Sequence, residues 1–139
     1  MYLLDTHVVS ELRKPRPHGG VLAWISSVDD VDLHLSVVTL AEIQAGVEIT
    51  REQDGAKAAE IERWLDMVAA SYNVLAMDAA TFRVWAKLMH RRSDTVYEDA
   101  MIAATAKVHK LTVVTRNLAN FEPFGLQLLD PFGFTGGAG

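Results

Sequence analysis

The stretch MYLLDTHVVSEL, residues 1–12, sets the fold that the rest of the chain is expected to adopt. It contains the apolar run Tyr2, Leu3 and Leu4, which ends abruptly on Asp5. A strand buried on both faces of a parallel sheet is apolar throughout, and ligands gather where such strands end. A carboxylate there is poorly solvated and calls for a metal ion, a basic partner or a helix N-terminus. Asp5 therefore predicts a site at one edge of a sheet, formed with other acidic residues.

The composition of the chain narrows the classes of function. Its 139 residues fit one domain, half of them are apolar, and no apolar run approaches the roughly 20 residues that span a bilayer. The absence of cysteine excludes disulfides, zinc–thiolate sites and a cysteine nucleophile, and no secretory signal is recognisable at the start. We expect a soluble, cytoplasmic protein. The net charge of −5 does not by itself attract nucleic acid. The short basic clusters, such as the one at residues 13–16, are predicted to lie on the solvated surface of the protein.

Apolar strands alternate with amphipathic helices along the chain. The pattern predicts strands at residues 2–4, 33–38, 73–77, 111–115 and 126–130. It predicts helices at residues 8–12, 21–28, 61–69, 82–89 and 99–108, and one that opens at Thr39, with loops at 90–98 and 116–120. This alternation is typical of an α/β fold with a central, mostly parallel sheet of four to five strands and helices on both faces. We expect one domain over residues 1–132 and a flexible tail over 133–139.

Several polar residues are predicted to share the carboxyl edge of this sheet, namely Asp5, Glu42, Asp78, Asp99 and Asn117. Each acid also has a structural explanation. Glu42 stands at capping-box spacing from Thr39, Asp78 has the chemistry of a helix N-cap, and Asp99 complements a helix dipole. The N-cap role is preferred for Asp78. Three converging carboxylates repel each other unless a divalent cation neutralises them, so the pattern alone leaves the metal site and the structural roles open.

Four segments carry a resemblance to a known family. They are LLDTHVVSEL, SVVTLAEIQAG, EDAMIAATAKVHKLTVVTRN and the phenylalanine of NLANF. Together they cover nearly the whole chain in order and closely resemble the PIN-domain ribonucleases, in particular the VapC-type toxins and their FitB-like branch. The resemblance implies a three-layer α/β/α PIN-like fold.

The resemblance also implies a ligand set. It implies that Asp5, Glu42 and Asp99 bind Mg²⁺, or Mn²⁺, and that Asn117 is a fourth site position, held in many relatives by Asp. Thr6 and Thr115 are expected to orient the carboxylates. Two further positions depart from the family pattern: His7 replaces an asparagine or serine, and Asn120 replaces an acid found in some relatives. The site thus carries less formal charge near Asn117, which leaves the number of metal ions open. Glu98 lies about 100° around the helix from Asp99 and is expected to be peripheral.

The implied function is a metal-dependent endoribonuclease, the toxin of a type II toxin–antitoxin pair. Such a site hydrolyses RNA phosphodiester bonds, because a bound cation lowers the pKa of water and offsets charge on the phosphoryl group. The resemblance further implies a homodimer and a cognate antitoxin whose C-terminal segment covers the acidic pocket, in a groove walled by the first two helices and the helix that bears Glu42. No membrane partner is expected.

Other classes of function remain to be weighed against the nuclease. A catalytically weak PIN-like module that binds RNA or protein is the main alternative, because one acid is missing near Asn117. A phosphatase built on Asp5 is disfavoured, since no second Asp follows two residues later. A dinucleotide-binding fold lacks its glycine-rich loop, and a serine hydrolase lacks its G-x-S-x-G elbow.

Overall fold

The computed structural model describes residues 1–135 of the chain and contains a five-stranded sheet. The strands are β1 (Tyr2–Leu4), β2 (Leu33–Ser36), β3 (Asn73–Leu75), β4 (Thr112–Val114) and β5 (Leu128–Leu129). They lie in the order β3-β2-β1-β4-β5, and every neighbouring pair is parallel. The predicted parallel sheet is therefore confirmed, with the strand that precedes Asp5 at its centre.

Seven α-helices connect and flank these strands within residues 1–135. They are α1 (Thr6–Glu11), α2 (Gly19–Ser27), α3 (Val37–Arg51), α4 (Gly55–Ser71), α5 (Ala79–Met89), α6 (Tyr97–His109) and α7 (Leu118–Phe121). Short 3-10 turns lie at Asp30–Asp32, Asp94–Val96, Glu122–Phe124 and Pro131–Gly133. No helix in this part of the chain is long and apolar enough to cross a membrane.

The second strand is shorter than predicted, and the helix after it begins earlier. Val37 and Val38 belong to α3, because the Ser36 hydroxyl accepts a hydrogen bond from the Val38 N–H at 3.1 Å and so caps the helix. The prediction had extended the strand through these residues because β-branched side chains favour strands. The helix therefore does not open at Thr39, and the capping-box explanation of Glu42 is wrong.

Most other elements also differ from their predicted bounds by a few residues, and three differences affect the description of the chain. α4 begins near residue 55 rather than 61, because the Asp54 carboxylate caps it by accepting from the Lys57 N–H at 3.0 Å. α6 begins at Tyr97, two residues before the predicted start. The predicted loop after β4 contains the short helix α7.

Side chains of the sheet pack into two apolar cores, one on each face. Leu3 belongs to the core that contains Ile102 and Phe121, whereas Leu4 belongs to the core that contains Val8 and Trp24. Both leucines are fully buried, so β1 is covered on its two faces as its apolar sequence predicts. Helices on both faces of the sheet give the predicted three-layer α/β/α arrangement.

The strand order creates a crevice between β1 and β4. From β1 the chain proceeds to β2 and β3 on one side, then crosses to β4 and β5 on the other. In open parallel sheets, ligands bind at such a reversal, beyond the carboxyl ends of the strands. The residues that follow β1 and β4 therefore lie where a functional site is expected.

The end of the described chain packs against the start of α2. The backbone N–H of Phe134 donates to the Pro131 carbonyl, and Phe134 packs against the core that contains Leu4. A methyl group on Gly20 would lie 2.9 Å from the Pro131 and Phe132 carbonyl oxygens, so this contact requires glycine. Of the predicted tail, residues 136–139 lie outside the described residues, and the boundary after residue 132 remains a prediction.

Candidate functional site

Asp5 occupies the crevice between β1 and β4. Its backbone N–H donates to the Val114 carbonyl at 2.9 Å, as a continuation of the pairing between the two strands. Its carboxylate is the N-cap of α1, where Oδ1 accepts from the Thr6 N–H at 2.8 Å and Oδ2 accepts from the Thr115 hydroxyl at 2.9 Å. The residue is only 3% exposed. Burial raises the pKa of Asp5, even though these donors and the nearby His7 lower it.

Glu42 lies on the second turn of α3 and is connected to α1 by threonine hydroxyls. The Thr6 hydroxyl donates to Glu42 Oε1 at 2.8 Å, and the Thr6 and Thr39 hydroxyl oxygens are 2.9 Å apart. Desolvation raises the pKa of Glu42, and the negative charge of Asp5 raises it further. The hydrogen bonds that Thr6 and Thr115 make to acidic side chains agree with the orienting roles predicted for these two threonines.

Asp99 lies in the first turn of α6 and approaches the same centre from the other face of the sheet. Partial burial raises its pKa, and the charge of Asp5 adds to that effect, while His7 opposes it. Glu98 raises the pKa of both Glu42 and Asp99. Glu98, predicted to be peripheral, lies beside Asp99 in the first turn of α6, and its charge makes only a minor contribution to the pKa values of these two acids.

Asn117 follows β4 and is exposed at the mouth of the crevice. Its backbone N–H donates to the Thr115 hydroxyl at 3.0 Å, and that hydroxyl donates in turn to Asp5. Thr115 is fully buried and therefore connects the two positions rigidly. The sequence-predicted residues Asp5, Glu42, Asp99 and Asn117 thus all lie at the carboxyl edge of the sheet.

Asp78 has the structural role preferred for it. Its carboxylate accepts from the Thr81 N–H at 2.9 Å and from the Thr81 hydroxyl at 2.7 Å, so it caps α5. These hydrogen bonds lower the pKa of Asp78, in contrast to the raised values of Asp5, Glu42 and Asp99. Asp5 and Asp78 both cap helices, but Asp5 is buried and its pKa is raised, whereas Asp78 is exposed and its pKa is lowered.

The donor set fits a hard divalent cation in its chemistry. All donors are carboxylate oxygens, and a carboxylate that accepts one hydrogen bond on each oxygen, as Asp5 does, keeps lone pairs free for a cation. Burial is the main cause of the raised pKa values of all three acids, and the charge of Asp5 raises the pKa of Glu42 and Asp99 further. Within residues 1–135, however, no three His, Asp or Glu side chains are close enough as placed to share one ion. Asp5 is fixed, whereas Glu42 and Asp99 are more accessible.

Comparison with known proteins relates this geometry to a family. The family model of the PIN domain matches residues 2–122. Toxin FitB of Neisseria gonorrhoeae is 31% identical, with 95% of this chain and 99% of the relative covered. VapC ribonuclease Y4jK of Sinorhizobium fredii is 35% identical over 95% and 98% of the two chains, and plasmid stability protein StbB of Pseudomonas syringae pv. tomato is 34% identical over 95% and 99%.

Solved structures show the same fold. The crystal structure of FitAcB from Neisseria gonorrhoeae contains a chain that superposes with a TM-score of 0.84 at 31% identity, with 96% of this chain and 100% of that chain covered. A chain of VapBC2 from Rickettsia felis, bound to a DNA fragment from the promoter, superposes with a TM-score of 0.73 over 93% and 96% of the two chains. Its identity of 20% supports the fold alone. The chain, with its acids gathered at the β1–β4 crevice, therefore belongs to the PIN-domain family, in the branch that includes the FitB and VapC proteins.

Proposed function

We propose that this protein is the toxin of a type II toxin–antitoxin pair and acts as a metal-dependent endoribonuclease. The observation that carries the proposal is the buried carboxylate of Asp5, whose charge Glu42 and Asp99 reinforce rather than balance. Relatives that match nearly the whole chain at 31–35% identity are named as a toxin and as a ribonuclease. A site that gathers negative charge for a cation is consistent with both names.

In this proposal Asp5, Glu42 and Asp99 hold Mg²⁺, with Mn²⁺ as the other candidate ion. When bound, such a cation lowers the pKa of water and stabilises charge that develops on the phosphoryl group. Thr115 keeps Asp5 in one orientation, and Thr6 does the same for Glu42. The Asn117 side chain offers a neutral donor and acceptor at the mouth of the crevice, where it can orient water or a phosphate oxygen.

The experiment that tests this proposal is cleavage of total cellular RNA by the purified protein in Mg²⁺ or Mn²⁺, with EDTA as the metal-free control. Asp5→Asn removes one charge from the cluster. Asp78→Asn is its matched control, because it removes a carboxylate that caps α5, and asparagine is itself a good N-cap. We expect discrete fragments from the wild type and from Asp78→Asn, and none with EDTA or Asp5→Asn.

A different result would support the catalytically weak binding module. If the folded wild-type protein cleaves no RNA with either metal, the proposed nuclease is wrong. Isothermal titration with Mg²⁺ or Mn²⁺ then decides whether the acidic cluster binds a cation at all. If the protein binds a cation but cleaves no RNA, the proposed metal site is supported and the proposed catalysis is wrong.

We further propose that a cognate antitoxin occupies the groove between α1, α3 and α4. This groove starts at Glu42 and continues past Ile43 and Val47 to Ile61 and Trp64. Glu42 makes one end of the groove acidic, and the wall combines these apolar side chains with polar ones, among them Arg13 in both parts. A peptide with apolar side chains and a basic residue near its end is complementary to that pattern.

Co-expression with the protein encoded beside the toxin gene tests this interface. Ile61→Glu places a charge in the groove and should abolish co-purification of the two proteins while RNA cleavage by the isolated toxin persists. Ile49→Glu is the matched control, because Ile49 is 67% exposed on α3 and lines neither part of the groove. Equal co-purification with both variants would place the antitoxin elsewhere.

We also propose a homodimer, formed through an aromatic surface on α5 and the start of α6. Phe82 and Tyr97 are 44% and 40% exposed, and both rings contact Trp85 edge to face, at centroid distances of 6.1 and 5.4 Å. Aromatic residues are enriched in the centres of protein interfaces. Sedimentation should show a dimer for the wild type and a monomer for Phe82→Glu, whereas a Phe82→Glu dimer would exclude this surface.

A further inference from the structure

A second pocket lies beside the acidic cluster and next to the Glu42 groove, with which it shares the α1 residues His7 and Ser10. It is a cavity of about 340 Å³ between α1, the segment after β4 and the turn Pro131–Gly133. His7 and Asn117 line it at the end that faces the acids, and Lys14, Arg116 and Phe132 line the rest. The pocket and the acidic cluster therefore meet at the same β1–β4 crevice.

Arg116 is the central cation of this pocket. Its guanidinium carbon lies 4.5 Å from the centroid of the Phe132 ring, which is a cation–π contact. The residue is exposed, and within residues 1–135 the guanidinium forms no ion pair and donates no hydrogen bond. The guanidinium is planar and presents a fork of N–H donors, a geometry that suits phosphate oxygens.

Lys14 supplies a second cation, held in place by Glu11. The Lys14 Nζ lies 2.9 Å from Glu11 Oε1, while Glu11 Oε2 accepts from the His18 N–H at 3.0 Å. The hydrogen bond from Lys14 lowers the pKa of Glu11, which is only 8% exposed. Both Glu11 oxygens are thus engaged within the protein. Together, the side chains of Glu11, Lys14 and Arg116 carry a formal charge of +1. The pocket is therefore positively charged, whereas the neighbouring cluster of carboxylates is negatively charged.

The floor of the pocket is fixed by the close contact at Gly20. The Phe132 ring also packs against the His18 ring at a centroid distance of 5.0 Å. The backbone of the turn that carries Phe132 lies so close to Gly20 that a Cβ there would clash with the Pro131 and Phe132 carbonyl oxygens. The Phe132 ring therefore contacts His18 as well as Arg116, and its turn packs closely against the start of α2.

We propose that this pocket, through Arg116 and Lys14, binds the RNA phosphate adjacent to the one that is cleaved. This inference rests on the proposed function, since it names where the substrate backbone continues beyond the acidic cluster. The pocket and the acidic cluster are joined by three consecutive residues. The Thr115 hydroxyl donates a hydrogen bond to Asp5, and the next two residues, Arg116 and Asn117, line the pocket. A cationic groove with an aromatic ring is the surface on which proteins hold single-stranded nucleic acid.

The test measures RNA binding separately from cleavage. Fluorescence anisotropy with a labelled single-stranded RNA is recorded in EDTA for Asp5→Asn, alone and combined with Arg116→Met, Arg116→Lys or Arg63→Met. Arg63 is the matched control, because it is exposed on α4 and lines none of the pockets described above. Thermal unfolding confirms that each variant is folded.

We expect Arg116→Met to weaken binding roughly tenfold, as the loss of one charge-assisted hydrogen bond implies. The slope of log affinity against log salt should become less steep by about 0.7, the value for one phosphate contact in a single strand. Arg116→Lys should restore the salt slope, and Arg63→Met should change neither quantity. In an otherwise wild-type protein, Arg116→Met should raise the KM for RNA cleavage more than it lowers kcat.

The outcomes separate this inference from the proposed nuclease. Metal-dependent cleavage by the wild type, with equal affinity and slope for Arg116→Met and Arg63→Met, would overturn the pocket and leave the nuclease intact. Absence of cleavage, with binding that still depends on Arg116, would support the pocket and overturn the nuclease. A protein that neither binds nor cleaves RNA overturns both. If Arg116→Met changes only co-purification with the antitoxin, the pocket binds protein and the inference is also wrong.

Discussion

The hydrogen bond from Thr115 to Asp5 is expected to stabilise the whole fold, and Thr115→Val tests it. Valine matches threonine in shape, so the change removes a hydroxyl without opening a cavity. Thr115 is fully buried, its hydroxyl lies 2.9 Å from Asp5 Oδ2, and the same hydroxyl accepts from the Asn117 N–H. A hydrogen bond to a charged group contributes about 1.5–3 kcal/mol, and one between neutral groups about 1 kcal/mol. Because Asn117 is exposed and its N–H can turn to water, we expect a loss of about 2–3 kcal/mol.

Urea unfolding at pH 7 in EDTA measures this loss, with Thr105→Val as the matched control. Thr105 is equally buried, but its hydroxyl donates only to the Met101 carbonyl within α6, which also accepts the ordinary helical hydrogen bond. We expect Thr105→Val to change the free energy of unfolding by less than about 1 kcal/mol. All proteins are compared at one concentration, so that any dimerisation contributes equally.

The pH dependence identifies the carboxylate as the cause. The hydroxyl of Thr115 lowers the pKa of Asp5, so the pKa of folded Asp5 is higher in Thr115→Val than in the wild type. The folded variant therefore binds more protons, and its deficit in stability shrinks as the pH falls through that higher pKa. The full deficit is present above it. A deficit that equals that of Thr105→Val, or that stays constant as the pH is lowered, would refute this account of Asp5.

Three further changes give distinct expected results. Because folded Asp5, Glu42 and Asp99 have raised pKa values, their joint contribution to the stability of the metal-free protein should fall as the pH rises above about 4, where the unfolded carboxyls ionise first; Asp5→Asn should lessen this fall relative to the wild type and Mg²⁺ should offset it, both visible as differences in thermal unfolding across pH. Gly20→Ala should lower the free energy of unfolding by about 1–3 kcal/mol in urea, since its Cβ would clash with backbone oxygens. Asp78→Ala should cost about 1 kcal/mol as a lost N-cap, with RNA cleavage unchanged at a temperature where the variant is folded.

The central part of the fold follows from local sequence. An apolar strand of three residues that ends on an acid is sufficient to place Asp5 at the edge of a parallel sheet, because burial and charge are incompatible within the strand itself. The alternation of strands and helices then gives the layers. The role of Asp78 also follows from the sequence, since an acid that precedes a helix finds backbone N–H donors nearby.

Features that depend on tertiary contacts did not follow from the sequence. Val37 and Val38 have side chains that favour strands, yet the Ser36 cap and the packing of Val38 in the core place them in a helix. The proximity of Glu98 to Glu42, which lies on another helix, likewise depends on how α3 and α6 pack and not on local sequence. Lys14 is exposed, as its predicted place on the solvated surface requires, but nothing local in the sequence indicates that residues 14, 116 and 132 line one pocket.

The two neighbouring sites have a common origin in the strand order. Since β1 and β4 are adjacent and the chain turns to opposite faces after them, α1 and the segment after β4 separate and leave a crevice. The first residues after β1 and β4 therefore lie in this crevice. Asp5 and Thr115 fill the inside of the crevice, where charge is poorly solvated, while Lys14 and Arg116 lie at its rim, where cations remain hydrated. Acids at depth with cations at the rim provide a place for a metal ion and, beside it, for the anionic backbone that it would act on. The acids destabilise the metal-free fold, which is the cost expected of a preformed site. The stability measurements on Asp5→Asn and the salt dependence of Arg116→Met therefore examine two parts of the same arrangement.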